Sequence, residues 1–360
     1  MTSRERVLAA MSGQTPDRVP RDISWGMTPI AMQTFREKTG GRLPPDEYFH
    51  CDVRYVSFRE PARDTRLYEA FFPVGPGDPG FSINNWGIGE QKSADSIYHF
   101  AHIVSPLQHA QTLNEIIDYP LPDYSSPECH RQLEQDVSDI HNRGLAAAGQ
   151  GDLTLFETAW GIRGFESFME DMLLRPDFAE CLLDRLLDIR LFQVKRLAGA
   201  GIDVLTCGDD VSCQRGMMMS PGLFRKFLKP RYEKMIRAAR DEKQDLLVFF
   251  HSDGDPGAVI PDLIEIGVNI LNPCQPECND FDALKREYGM HLSFWGAIGI
   301  QELLPFGTPA DIRREVKRIM AGLGKGGGLL LGPTHVIEPE VPWENLAALY
   351  EAIDEFGVYT

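Results

Sequence analysis

The chain has 360 residues, with 53 acidic against 36 basic side chains and a formal net charge of −17. A chain of this length buries roughly three quarters of its unfolded surface, so its core requires neither disulfides nor a structural metal. The negative charge argues against nucleic acid or an anionic lipid surface as a partner. Its 43% hydrophobic and 25% charged residues are ordinary for a globular protein, and no apolar run approaches the roughly eighteen residues that span a bilayer.

Residues Met1 to Met11 mix charges with apolar positions and predict a short amphipathic helix in place of a secretory signal, which points to the cytoplasm. Seven cysteines, an odd number without a CxxC pair, predict reduced and mostly buried thiols. Val19 to Trp25 is a candidate first strand. Residues 70 to 105, rich in Gly, Pro and aromatics, predict a long irregular excursion with a hairpin at His99 to Val104. From about residue 144 strand-length apolar runs alternate with helical segments. The strand candidates are Gly144 to Asp152, Asp203 to Asp210, Leu246 to Asp253, Val268 to Cys274, His291 to Gly299 and Gly328 to His335. Between and after them lie Pro176 to Ala200, Pro221 to Glu242, Pro256 to Ile266, Phe281 to Tyr288, Pro309 to Leu323 and Pro342 to Phe356, several opened by proline after a capping residue. Evenly spaced β/α units of ~30 residues predict an α/β chain folded as one (β/α)8 TIM barrel over residues 1–360, with an N-terminal helical extension and an irregular insertion. An open doubly wound sheet is the alternative, but the glycine-rich phosphate loops it favours, GxGxxG and GxxxxGK[ST], are absent from the sequence.

In such a barrel the C-terminal ends of the strands form the active-site face. Polar residues collect there: Gln150 and Asp152, Asp209 and Asp210, His251 and Asp253, Asn272 and Cys274, Trp295, and Thr334 and His335. Asp152, Asp210 and Asn272 also suit helix caps. His251 and Asp253, two apart on one strand, face the same way. They can hold a divalent metal with a third ligand or act as a carboxylate-oriented base, or Asp253 can simply cap the histidine's loop. His335 can complete a metal set, donate to a substrate oxygen, or be structural. Cys274 is a further ligand candidate, although a free cysteine at such a place is more often a small buried apolar residue. Trp295 and Phe294 suggest an apolar or aromatic ligand. The remaining histidines, among them His102, His130 and His141, are expected at the surface.

The segment Leu331-Gly-Pro-Thr-His335-Val-Ile-Glu-Pro-Glu-Val-Pro-Trp-Glu-Asn345 resembles the C-terminal signature of the uroporphyrinogen decarboxylase superfamily. Other blocks fall in family order: Asp17-Arg-Val-Pro20, Phe49-His-Cys-Asp52, Trp86-Gly87, Gly199-Ala-Gly-Ile-Asp203, Ser220-Pro-Gly-Leu-Phe-Arg225 with Pro230, and Phe294-Trp-Gly-Ala297. The resemblance implies a β/α barrel and either cofactor-free decarboxylation of a porphyrinogen or methyl transfer between a corrinoid and a substrate through bound zinc. The arginine-rich motif of the decarboxylases corresponds here to Trp25-Gly-Met-Thr-Pro-Ile-Ala-Met32, which has no arginine, so the methyltransferase branch is favoured. In that branch His-x-Cys and a late cysteine hold zinc. By position His251, Asp253 and His335 match them, with harder donors in place of both thiolates.

The reading is therefore a methyltransferase that moves a methyl group from a small O-methylated (methoxylated) compound to a corrinoid on a separate protein. His251, Asp253 and His335, with Cys274, would hold Zn2+. His335, Asp52 and Asp209 would be catalytic, and Trp25, Gln150, Asp152, Asp210 and Trp295 would contact substrate. The partners implied are the small molecule and the corrinoid protein, with a homodimer allowed for and no nucleic acid or membrane. The alternatives are a cofactor-free decarboxylase or lyase acting on a non-porphyrin carboxylic acid, and a non-catalytic ligand-binding barrel.

Overall fold

The computed structural model describes residues 1–23, 25–62, 64–72, 77–93, 97–98, 101–150 and 153–359. Among them are twelve strands: β1 (Val53–Ser57), β2 (Phe81–Ile83), β3 (Gly89–Gln91), β4 (His102–Val104), β5 (Ala146–Gln150), β6 (Val204–Gly208), β7 (Ser212–Cys213), β8 (Gly216–Met217), β9 (Leu247–His251), β10 (Ile270–Asn272), β11 (Ser293–Ile298) and β12 (Leu329–Pro333). Seven form one sheet in the order β1-β5-β6-β9-β10-β11-β12, with every neighbouring pair parallel. Spatial order follows chain order, as parallel strands joined by helical crossovers require. All six strands expected after residue 144 are present, each trimmed at its ends by one to a few residues.

The first strand differs from expectation. β1 was not anticipated, and the expected strand at Val19 to Trp25 is reduced to a parallel bridge between Arg21 and Leu331. The Asp22 N–H donates to Leu331 O at 3.0 Å, and the Leu331 N–H donates to Pro20 O at 2.9 Å. On the other side the Asp52 N–H donates to Arg21 O at 2.9 Å, while the Arg21 N–H goes to the Asp52 carboxylate at 2.9 Å. Pro20 has no N–H and Arg21 spends its own on a side chain, so no regular ladder extends here. Ser24 lies outside the described residues. The insertion contains an antiparallel sheet of β2, β3 and β4; His99, where the expected hairpin starts, lies outside the described residues.

Alternation along the strands sorts the core into two layers. Leu247 and Phe249 point inward to a cluster with Ala146, Ala148, Val204 and Trp295, which the N-terminal helix Ser3–Met11 closes from below through Val7, Ala10 and Met11. Val248 and Phe250 point outward to the larger cluster beneath the helices. Each buried Leu or Phe contributes roughly 1.5–3 kcal/mol. Among the described residues no helix is long and apolar enough to cross a membrane.

Candidate functional site

The inward alternation that buries Leu247 and Phe249 brings His251 to the upper end of β9, and Asn272 holds the corresponding place on β10, its register partner. Asn272 donates through Nδ2 to Trp295 O at 2.9 Å, which leaves its Oδ1 to accept from His251 Nδ1 at 2.6 Å. The proton of His251 is thereby assigned to Nδ1, and the Nε2 lone pair faces outward. It meets Asp210 Oδ1 at 3.5 Å and Asp253 Oδ1 at 3.8 Å. Asp210 is further fixed by the Asp253 N–H, 2.7 Å from its Oδ1. Gly208 makes this approach possible, since at its φ of +146° a Cβ would lie 2.2 Å from the His251 carbonyl oxygen.

One donor atom from each of Asp210, His251 and Asp253 lies within 4.8 Å of the others. Ligands about 2.0–2.1 Å from a tetrahedral zinc stand roughly 3.3 Å apart. A neutral imidazole, two carboxylates and an amide that fixes the tautomer therefore suit a divalent cation. A cavity of about 290 Å³ opens beside this cluster, walled by Trp25, Gln150, Thr206, Phe249, His251 and His335. A second, of about 450 Å³, lies on the other side and is lined by Trp160, Phe165, Gln275 and Asp253. Asp210 and Glu157 border both. Burial, reinforced by the charges of Asp209 and Asp210, pushes the Glu157 carboxyl well above the usual carboxylate range.

Several expected site residues are placed elsewhere. His335 lines the cavity but stands outside the three-residue cluster; its ring centre is 6.4 Å from that of His251, and Trp25 packs against both rings, at 5.0 Å from His251 and 6.1 Å from His335. Cys274 is buried with Sγ 3.5 Å from Leu271 O, and it stands outside the cluster of Asp210, His251 and Asp253. Trp295 is fully buried and packs edge-on against Phe249 at 5.2 Å, because β11 continues to Ile298 and leaves it in mid-strand. Asp209 faces away from the cavity. It accepts the backbone N–H groups of Leu155, Phe156 and Glu157 at 2.8 to 2.9 Å, capping the helix Phe156–Arg163, and takes the Tyr232 hydroxyl as well. Burial nonetheless pushes its carboxyl up to about 7. Asp52 precedes β1 at the opposite end of the sheet, held by Arg6 and Arg18, and cannot reach the cavity. Asp152 lies outside the described residues. His130 and His141, expected as plain surface residues, are half-buried and bonded, to Arg196 and Asp203.

Glu157, Thr154, Thr206 and Phe249 were missed. Thr206 and Phe249 were legible in principle, two residues before Gly208 and His251 on the same inward face. Glu157 was not: Thr154-Leu-Phe-Glu157 has the T-x-x-E spacing of a capping box, which gives the glutamate a helix-capping role in sequence and hides its place on the cavity wall.

A family model described as uroporphyrinogen decarboxylase (URO-D) matches residues 145–356. The chain is 27% identical over 207 residues to the methylcobamide:CoM methyltransferase MtaA of Methanosarcina barkeri, covering 58% of this chain and 57% of that protein. It is 26% identical over 188 residues to the uroporphyrinogen decarboxylase of Coxiella burnetii (strain Dugway 5J108-111), covering 51% and 49%. The chain thus spans about half the length of the curated relatives it matches. The solved structure of a methyltransferase from Methanosarcina mazei shares the fold, with a TM-score of 0.70 at 20% identity over 99% of both chains. With more than half of its length matched by the family model, the chain belongs to the uroporphyrinogen decarboxylase family.

Proposed function

We propose that the chain is a methyltransferase that takes a methyl group from a small O-methylated compound and passes it to a corrinoid carried on a separate protein. The observation that carries this reading is the orientation of His251, whose Nδ1 is fixed by Asn272 so that Nε2 faces two carboxylates beside a cavity. Asp210, His251 and Asp253 would hold a divalent cation, zinc by the nature of the site and of the methyltransferase relatives. Such a cation supplies stabilisation for negative charge developing on an oxygen. The chain's own residues do the rest: Trp25 and Phe249 hold a flat ligand, Asn272 keeps the imidazole in one tautomer, and His335 forms part of the cavity wall. The same reading takes residues 1–360 as a single domain and closes the seven-stranded sheet into a (β/α)8 barrel, with residues 20–22 as the eighth stave, supported by their hydrogen bonds to β12 and Asp52. It places the protein in the cytoplasm, in keeping with seven free cysteines.

The test is to supply cob(I)alamin and a methoxylated phenol to the zinc-loaded protein, following the corrinoid absorbance and the freed phenol. Transfer that depends on zinc and is lost in His251→Ala is expected. Transfer unchanged by a chelator, or release of CO2 from a carboxylic acid with none of the methyl chemistry, would overturn it.

A further inference from the structure

The wall of the cavity beside the cation cluster combines aromatic faces with polar but uncharged groups. Trp25 and Phe249 supply the faces, Gln150 an amide, and Thr154 and Thr206 hydroxyls. Below them the space narrows into a small extension bordered by Trp25, Tyr55, Gln150, Thr206 and Phe249, again without a charged group. The acidic groups on the wall are Asp210 and Glu157, the latter pushed toward its neutral form by burial, and neither lysine nor arginine lines the cavity among the described residues. Gly151 and Asp152, which follow Gln150, add no cation by identity. Arg190, behind Thr154, is 1% exposed and donates to Thr154 O, Gln193 Oε1 and Thr158 Oγ1. It cannot turn to meet a ligand without breaking those bonds.

An anionic ligand entering this space would lose its hydration, meet the Asp210 carboxylate and the Glu157 carboxyl that burial holds protonated, and find no arginine or lysine to compensate. Such desolvation is costly for an unpaired charge. A neutral ring gains instead from the Trp25 face and from the area it buries. The indole Nε1 of Trp25 is buried without a hydrogen-bond partner among the described residues, so it offers an N–H to an uncharged oxygen acceptor.

We infer that this cavity selects uncharged aromatic methyl ethers and rejects their carboxylate-bearing analogues. The ether rests on the methyl-transfer reading above; the charge preference rests on the lining. Two probes share the ring and the ether: 4-methoxybenzyl alcohol and 4-methoxybenzoate. Their binding is measured by calorimetry or tryptophan quenching, with metal-free and with zinc-loaded protein. The alcohol should bind roughly tenfold or more tightly than the carboxylate to the metal-free protein, and zinc, whose charge offsets the acidic wall, should narrow that ratio. Gln150→Arg, which sets a cation in the wall, should shrink or reverse that ratio. If this variant does not fold, the comparison on the unaltered protein decides alone. A carboxylate bound as tightly as the alcohol by the metal-free protein, or neither probe bound at millimolar concentration, would overturn the inference. Should the alcohol bind as expected while cob(I)alamin removes no methyl group from it, the charge preference is upheld and the methyl-transfer reading alone fails.

Discussion

The two ends of the parallel sheet use the same residue types to opposite effect. Below, two buried carboxylates have their cations. Asp52, fully buried, takes Arg6 at 2.8 Å, Arg18 at 2.9 Å and the Arg21 N–H at 2.9 Å. Asp203, 1% exposed, takes Arg4 at 2.9 Å, His141 at 2.9 Å and the Ala147 N–H at 3.0 Å. Above, Asp210, Asp253 and Glu157 gather around His251 with no lysine or arginine in the cavity walls among the described residues. Charge balanced from within fastens the structure together. Charge left to be balanced from outside marks the end that binds.

That contrast is most easily broken at Asp52. Asp52→Ala leaves Arg6 and Arg18 without their shared partner, and removing one side of a buried ion pair costs about 3–5 kcal/mol. Urea unfolding should show the loss, with no selective effect on activity once the protein is folded. Unchanged stability with abolished activity would restore Asp52 to the site and dissolve the distinction between the ends.

Asp209 belongs to the upper end by position and to the lower by behaviour. Asp209→Ala would strand three backbone N–H groups and the Tyr232 hydroxyl, for a loss of about 2–3 kcal/mol. A lowered Tm in the metal-free protein is the expected result. A Tm within a degree or so of the parent would mean that the cap contributes little to folding.

The upper cluster itself predicts the reverse pattern. Asp210→Asn keeps an acceptor for the Asp253 N–H while removing one of two nearby negative charges. It should lower zinc affinity by roughly a hundredfold, yet leave metal-free stability unchanged or raised by up to about 1 kcal/mol. Asn272→Ala, which touches no metal, should weaken zinc by roughly 10–100-fold by freeing the imidazole tautomer. Competition with a chromogenic chelator measures both. If Asn272→Ala bound zinc as tightly as the parent, the hydrogen bond to His251 would be incidental.

How much of this was legible without coordinates depends on the kind of signal. Strands such as Leu247–His251 announce themselves through contiguous apolar residues and a polar end, and the pairing of His251 with Asp253 follows from a two-residue repeat. The ends of strands carry no comparable signal, so Trp295 was assigned to a mouth when β11 runs three residues beyond it. Asp52 and Asp209 look identical to site carboxylates in sequence; what separates them is which groups fold back upon them, Arg6 from 46 residues away and the Leu155 N–H from 54. Asp210 reads in the sequence as a substrate contact or a cap, because its place beside His251 depends on the conformation at Gly208, which sequence does not reveal.

The smallest expected effect concerns His335, and it separates binding of metal from binding of substrate at the upper end. Sequence made His335 a metal ligand, but its ring centre is 6.4 Å from that of His251, and Trp25 packs against both rings. A residue that shares a cavity wall with the cluster without joining it should leave the cluster's affinity nearly alone. His335→Ala should therefore keep about one equivalent of zinc, with affinity within roughly twofold of the parent, while weakening the methoxylated ligand proposed for the cavity it lines. Loss of the metal in this variant, with the fold intact by circular dichroism, would mean that zinc draws His335 inward. The set would then be four residues, with the cavity rearranged around it.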